Sequence, residues 1–388
     1  MPCLIKSFTK NCPGLVTFTY NEMNSPLFKK KKIKNFLNNN KEWIFGIHLQ
    51  GSYERLEEFP YEDWQSFILC YNQNSKYLKN IDNQKKIDLS CQNFINIYGI
   101  ETNKKYWDLC IISRDSEIKR ISYTVELIKK LLNNKKDIKI LIIVPDNRAF
   151  GIFNSSNKNS YFNLIPKMFN NDELKKIDFI SSNVNSFGNF PLSEKTVFKF
   201  LSESKYTMIN SKKEGINRTL IQGFCYGTKA IVNNDLESEI VELYLDDENS
   251  IFINDDLANS ADKIVKGLNK YVYSKELMQH FRSIFSNDTS TQKLKNYLEK
   301  LLIHKGYNLK GEWFLKDLST RLCGHGNINS FQIYYNENYF YDWFEKAKKV
   351  QDNFDCEDDF YSFKIKDKPN FYTKILGKTK DLLKKLMK

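Results

Sequence analysis

The segment Ser211–Asn234, SKKEGINRTLIQGFCYGTKAIVNN, sets the fold class of this 388-residue chain. A strand-like run, YTMINS (Tyr206–Ser211), leads into it, and a polar loop carries Glu214 and Gly215. In NRTLIQGFCYG (Asn217–Gly227) apolar residues recur at helical spacing, and the closing glycine suits the left-handed backbone of a helix C-terminus. KAIVNN (Lys229–Asn234) reads as the next strand. Strand, helix and strand in so short a span imply a parallel sheet, since the crossover helix returns the chain to start the next strand in the same direction.

The same alternation extends outward. Upstream, DLCIIS (Asp108–Ser113), IKILIIVP (Ile138–Pro145) and IDFISS (Ile177–Ser182) are apolar runs of strand length, while ISYTVELIKKLL (Ile121–Leu132) and EKTVFKFLSES (Glu194–Ser204) have helical periodicity. Downstream come a strand, SIFIN (Ser250–Asn254), and a helix, ADKIVKGLNKY (Ala261–Tyr271). Continuously apolar strands between amphipathic helices predict a doubly wound lobe, its sheet covered on both faces. In the first hundred residues LVTFTY (Leu15–Tyr20), WIFGIHL (Trp43–Leu49), SFILCY (Ser66–Tyr71) and FINIYG (Phe94–Gly99) read as strands of a small α/β lobe, interrupted by the basic run KKKKIK (Lys29–Lys34). After Gly311 the chain is rich in Tyr, Phe and Asp and shows no usable period before a final basic helix.

Length points to more than one domain. Hydrophobic residues at 41% are enough for real cores. The net charge of +12 favours phosphate-rich partners, but Lys and Asn are abundant throughout, so charge alone does not argue for nucleic acid, and no nucleic-acid motif is present. The eight cysteines (Cys3, Cys12, Cys70, Cys91, Cys110, Cys225, Cys323, Cys356) form no CxxC pair and read as reduced, buried thiols. Cys323-Gly-His325-Gly is too sparse for zinc, so no metal is expected. MPCLIKSFTKNCPG lacks the apolar core of a signal peptide, and the expectation is a cytoplasmic protein.

Ser211–Asn234 resembles the donor-binding segment of retaining GT-B glycosyltransferases, the group 1 or family 4-like enzymes. There a strand ends in Ser, a loop supplies Glu-Gly, and the first turn of the next helix faces sugar and diphosphate. Glu214 and Gly215 match that pair, Ile216 follows it and Asn217 opens the helix. Arg114 and Lys119 in SRDSEIKR (Ser113–Arg120) match the Arg and Lys with which the family neutralises the donor diphosphate. YGIETN (Tyr98–Asn103) resembles the Asn-Gly-Ile-Asp-Thr segment that precedes them, and FSNDTSTQKLKNYLEKLL (Phe285–Leu302) the closing helices, so the resemblance runs from Tyr98 to Leu302. The physical chemistry agrees: free N–H groups at a helix N-terminus suit phosphate oxygens, and a glycine admits a ligand to the main chain.

There are departures. Gln222 stands where the family places its second Glu, the ribose contact; it keeps hydrogen-bonding capacity but no charge. The glycine-rich loop of the first lobe is reduced to Gly51 in HLQGSYER. His48 corresponds to a histidine near the anomeric carbon, though a lone His after a strand is more often structural. FYTKILGKTKDLLKKLMK (Phe371–Lys388) reads equally as a basic interfacial helix on an anionic membrane or as a helix packed across the lobes.

The expected protein is α/β and GT-B-like, with two Rossmann-like lobes: a reduced N-terminal acceptor-side lobe (1–104), a nucleotide-sugar-binding lobe with closing helices (105–306) and a C-terminal extension (307–388). The resemblance implies a metal-independent, hexosyltransferase-like glycosyltransferase without a cofactor. Its donor would be a nucleotide-sugar such as a UDP- or GDP-sugar, its acceptor a glycan or lipid-linked molecule, and its place the cytoplasm or the inner membrane face. The alternative is a degenerate GT-B scaffold that binds a glycan or partner without catalysis.

Overall fold

The computed structural model describes residues 2–49, 59–100, 103–114, 117–135, 137–145, 159–181, 192–322 and 337–349. Met1–Val350 form one compact unit. Gly51 and the expected final helix Phe371–Lys388 lie outside the described residues.

The first lobe holds β1 (Cys3–Lys6), β2 (Gly14–Thr19), α1 (Tyr20–Met23), α2 (Lys31–Asn39), β3 (Trp43–His48), β4 (Gln65–Cys70) and β5 (Lys86–Asp88). The strands lie side by side in chain order, β1 antiparallel to β2 and the others parallel. Each strand is added on the same side of the one before, so this sheet has no topological switch point. No glycine-rich loop follows β2: Thr19 caps α1 directly, its side chain accepting from Glu22 N while Glu22 accepts from Thr19 N.

The second lobe alternates β6 (Trp107–Ile112), α3 (Ile121–Asn134), β7 (Ile140–Ile143), α4 (Tyr161–Met168), α5 (Asn171–Leu174), β8 (Ile177–Ile180), α6 (Glu194–Ser202), β9 (Ser204–Ile209), α7 (Arg218–Cys225), β10 (Lys229–Asn233), α8 (Glu239–Tyr244), β11 (Ser250–Ile253) and α9 (Leu257–Asn269). Its all-parallel sheet runs β11-β10-β9-β6-β7-β8, the doubly wound order that reverses between β6 and β9. One face is covered by α3, α4 and α9, through Val125, Ile128, Ile165, Ile264 and Leu268. Helix α7 presses closely on β9 because Gly223 has no side chain: a Cβ there would meet Thr228 Oγ1 at 2.3 Å and Thr207 Oγ1 at 2.8 Å. Gly227, at φ +80°, ends α7 as the sequence predicts.

Two sequence expectations give way. Phe94–Gly99 is not a strand but the connection between lobes, held by Ile95 N to Phe285 O and Asn287 N to Ile95 O, both 2.8 Å, and by the Tyr226 hydroxyl donating to Asn96 O at 2.6 Å. The region after Gly311, which showed no period, carries helices that complete the first lobe. After α10 (Lys275–Phe285), α11 (Asn287–His304) and α12 (Leu318–Leu322) place Leu294, Leu298, Leu302, Leu318 and Leu322 against Ile5, Leu15, Phe67 and Leu69. On the aromatic side, α13 (Glu337–Lys348) sets Phe340 against Phe18, Phe28 and Phe36, and Phe344 against Phe45 and Trp43.

Phe340 is fully buried in that aromatic cluster. Phe340→Ala is expected to destabilise the protein by about 3–5 kcal/mol, the usual range for a core Phe truncation. Urea unfolding of the two proteins checks this; a loss below about 1 kcal/mol would mean that α13 is not needed to close the lobe.

Candidate functional site

In an open parallel sheet, ligands bind outside the carboxyl ends of the strands where the winding reverses. Here that point lies between β6 and β9. After β6 come Ser113, an exposed Arg114 and a single helical turn, Glu117–Lys119. After β9 come Asn210, Ser211 and the Glu214-Gly215 loop, then α7.

Lys119 and Glu214, 95 residues apart, meet in an ion pair across this crevice. Their side chains are 22% and 16% exposed, so the pair sits in the mouth of the crevice within reach of a ligand. The Glu214 loop is itself fastened to the loop after β10: Glu214 N donates to Glu237 O at 3.1 Å, Glu237 N to Lys212 O at 2.8 Å, and Ser238 Oγ to Gly215 O at 2.5 Å.

Asn217 is the N-cap of α7, its side chain accepting from Leu220 N at 3.1 Å. The cap uses one of the orphan N–H groups and leaves those earlier in the turn for a ligand. Ile216 is buried, so only its backbone faces the loop. Gln222, half-buried on α7, makes no side-chain hydrogen bond among the described residues. Arg218, in the first turn of α7, donates to Cys91 O and to the Glu194 carboxylate, both at 3.3 Å.

His48 does not reach the crevice. It is fully buried in the first lobe, with Nδ1 3.1 Å from Thr17 Oγ1, and burial pushes its pKa down to about 3, the Leu322 backbone offsetting part of the shift. The imidazole is therefore a neutral core group, which corrects its placement beside the reacting sugar. Gly51 falls outside the described residues.

Other site residues were not picked out from the sequence. Arg120 begins α3 with left-handed backbone (φ +50°), uncommon for a residue with a side chain. Its guanidinium lies over the Tyr123 ring and pairs with Asp235 at 3.0 Å and with Asp255, stapling the β6 loop to those after β10 and β11. Asn210 and Ser211 directly follow β9 and are 5% and 0% exposed, and Asn210 Oδ1 and Ser211 Oγ have no partner among the described residues. Both line a cavity of about 10 Å³, with Ser113, Lys119 and Thr124, about the room of one water molecule. The available signal was an apolar strand ending on two polar residues. A larger open cleft, about 830 Å³, lies away from the switch point, between β5 and α11 along Lys293, Tyr297 and Lys300.

No protein-family model matches the chain, and no curated protein matches it in sequence. Among solved structures it is similar to the GtfA/B complex, with a TM-score of 0.48 at 11% identity over 70% of this chain and 56% of that one. It is also similar to a variant of S. aureus TarM in complex with Fondaparinux, alpha-GlcNAc-glycerol and UDP (0.45, 16% identity, 69% and 53%). A third is the pneumococcal O-GlcNAc transferase GtfA in complex with UDP and GlcNAc (0.40, 10% identity, 78% and 55%). The chain thus spans little more than half the length of each. The fold is α/β and GT-B-like, with a reduced first lobe on a mostly parallel sheet and a doubly wound second lobe that carries the switch point.

The buried imidazole makes stability depend on pH. The folded pKa lies below the ordinary 6.5, so the stability that a neutral His48 contributes is complete above about pH 6.5 and is lost as pH falls toward 3, by at most about 1.4 kcal/mol per pH unit. Urea unfolding at about pH 7 and about pH 5 should show a smaller loss for His48→Asn than for wild type. Equal losses would mean that His48 is protonated in the folded protein.

Proposed function

We propose that the protein transfers a sugar from a nucleoside-diphosphate donor, bound at the β6/β9 switch point, to an acceptor presented by the first lobe. The observation that carries this reading is the Lys119–Glu214 pair meeting across the crevice. Without donor the two side chains neutralise each other. With donor present, Lys119 would exchange Glu214 for diphosphate oxygens, joined by Arg114 from the same loop and by the N–H groups that open α7. Glu214, released, would accept hydrogen bonds from sugar hydroxyls, and Gln222 from the ribose.

The chemistry required is modest. As the glycosidic bond lengthens, charge collects on the departing diphosphate, and cations and dipoles already in place stabilise it without first reorganising. Lys119, Arg114 and the helix start supply that charge, so this reading needs no metal. Retention of anomeric configuration and a glycan or lipid-linked acceptor follow from the family resemblance alone. A second reading, a degenerate scaffold that binds a glycan or partner, is favoured by two observations: Arg218 occupies the first turn of α7 through bonds to Cys91 and Glu194, and β2 runs into α1 without a glycine-rich loop.

Titration with UDP, GDP, ADP and CDP and their sugars, followed by donor hydrolysis, tests both readings. Lys119→Ala and Arg114→Ala should each weaken binding of the preferred nucleotide by about 1.5–3 kcal/mol, the usual value of a charge-assisted hydrogen bond, while the exposed Lys270→Ala leaves it unchanged. Equal affinity for all variants would overturn the site; tight binding without hydrolysis or transfer would favour the scaffold.

A further inference from the structure

Lys6, the last residue of β1, has no exposed surface. Its Nζ donates to Ser7 O at 3.1 Å and to Cys12 Sγ at 3.2 Å, and among the described residues no carboxylate pairs with it. Nζ and Sγ therefore lie in direct contact inside an enclosed site, so an oxidised Cys12 sulfur would form beside the Lys6 nitrogen.

Cys12 is held in place. Thr9 and Cys12 exchange backbone hydrogen bonds at 2.9 and 3.1 Å across the turn after β1, and the thiol donates to Asn308 O at 2.9 Å. Gly311 closes over Lys6 so tightly that a Cβ would lie 2.6 Å from Nζ. The loop that does this, Asn308–Gly311, is exposed, and Cys12 beneath it is 2% exposed.

We propose that Lys6 and Cys12 form a reversible oxidative cross-link. A hydroperoxide transfers one oxygen to Cys12 Sγ, its O–O bond breaks, and the sulfur becomes a sulfenic acid with release of water or the corresponding alcohol. The Lys6 amine then attacks that sulfur: an S–N bond forms, the S–O bond breaks, and hydroxide leaves with an amine proton as water. The sulfur is oxidised by two electrons, the peroxide is reduced by two, and the protein loses two hydrogens. Two equivalents of a thiol reductant restore the amine and the thiol. The link fastens β1 to the turn that follows it and removes the hydrogen bond from the thiol to Asn308 O.

The experiment treats the purified full chain with hydrogen peroxide, alkylates free thiols, and locates products by intact-mass and peptide mass spectrometry. The expected product has lost two hydrogens, joins Lys6 to Cys12, resists trypsin after Lys6 and reverts with dithiothreitol. Cys12→Ser and Lys6→Met should each abolish it, with circular dichroism reporting that the variants remain folded. Because the wild-type peptide map does not depend on either variant, a poorly folded variant leaves the test intact. Cys12 found only as an oxygen adduct, a disulfide or an alkylated thiol, with trypsin still cleaving after Lys6, would overturn the proposal.

Discussion

A parallel sheet must be covered on both faces, and in the first lobe much of that cover comes from far along the chain. Residues 2–49 contribute only α1 and α2 as helices, far too little for a sheet whose strands are buried almost throughout. The missing layers come from the other end of the chain, α11 and α12 on one face and α13 on the other. The core of the first lobe is therefore completed by residues that follow the second lobe. Contacts of such large sequence separation carry a loop-closure cost that the aromatic and leucine clusters must repay.

That return path also ties the lobes together. The α10–α11 junction bonds to Ile95 in the connection between them, and Tyr226, just past α7, bonds to Asn96. Arg218, in the first turn of α7, reaches Cys91 O. Helix α7 is thus tied just past its C-terminal end to the segment that joins the two lobes and at its first turn to Cys91, shortly before that segment.

The crevice itself is set by winding order. Where the strand order reverses, adjacent strands send their loops in opposite directions and leave a gap lined by Lys119, Asn210 and Ser211, with Glu214 paired to Lys119. Long-range polar contacts fix its rim: Arg120 to Asp235 and Asp255, and the Glu214 loop to Glu237 and Ser238. Loops held this way present their charges already oriented, the condition for electrostatic stabilisation of a bound ligand.

The doubly wound lobe was legible in the sequence because its signals are local. Apolar runs such as ILII at Ile140–Ile143 and the helical period of Ile121–Asn134 reflect burial on fixed faces, and Gly227 reflects a backbone angle. The Glu214-Gly215 loop and the Arg114–Lys119 stretch could be found because motif and spacing lie within short segments. What the sequence could not show depends on partners far away in the chain. β1 is only four residues long and counts as a strand through its pairing with β2 and with Glu312–Phe314; α13 packs against Phe18 and Phe28, far away in the chain; and the buried His48 imidazole meets the Leu322 backbone, 274 residues on. Local periodicity determined which segments are strands and helices, whereas tertiary structure decided which of them cover one another, because burial depends on the whole set of neighbours and not on the residue that is buried.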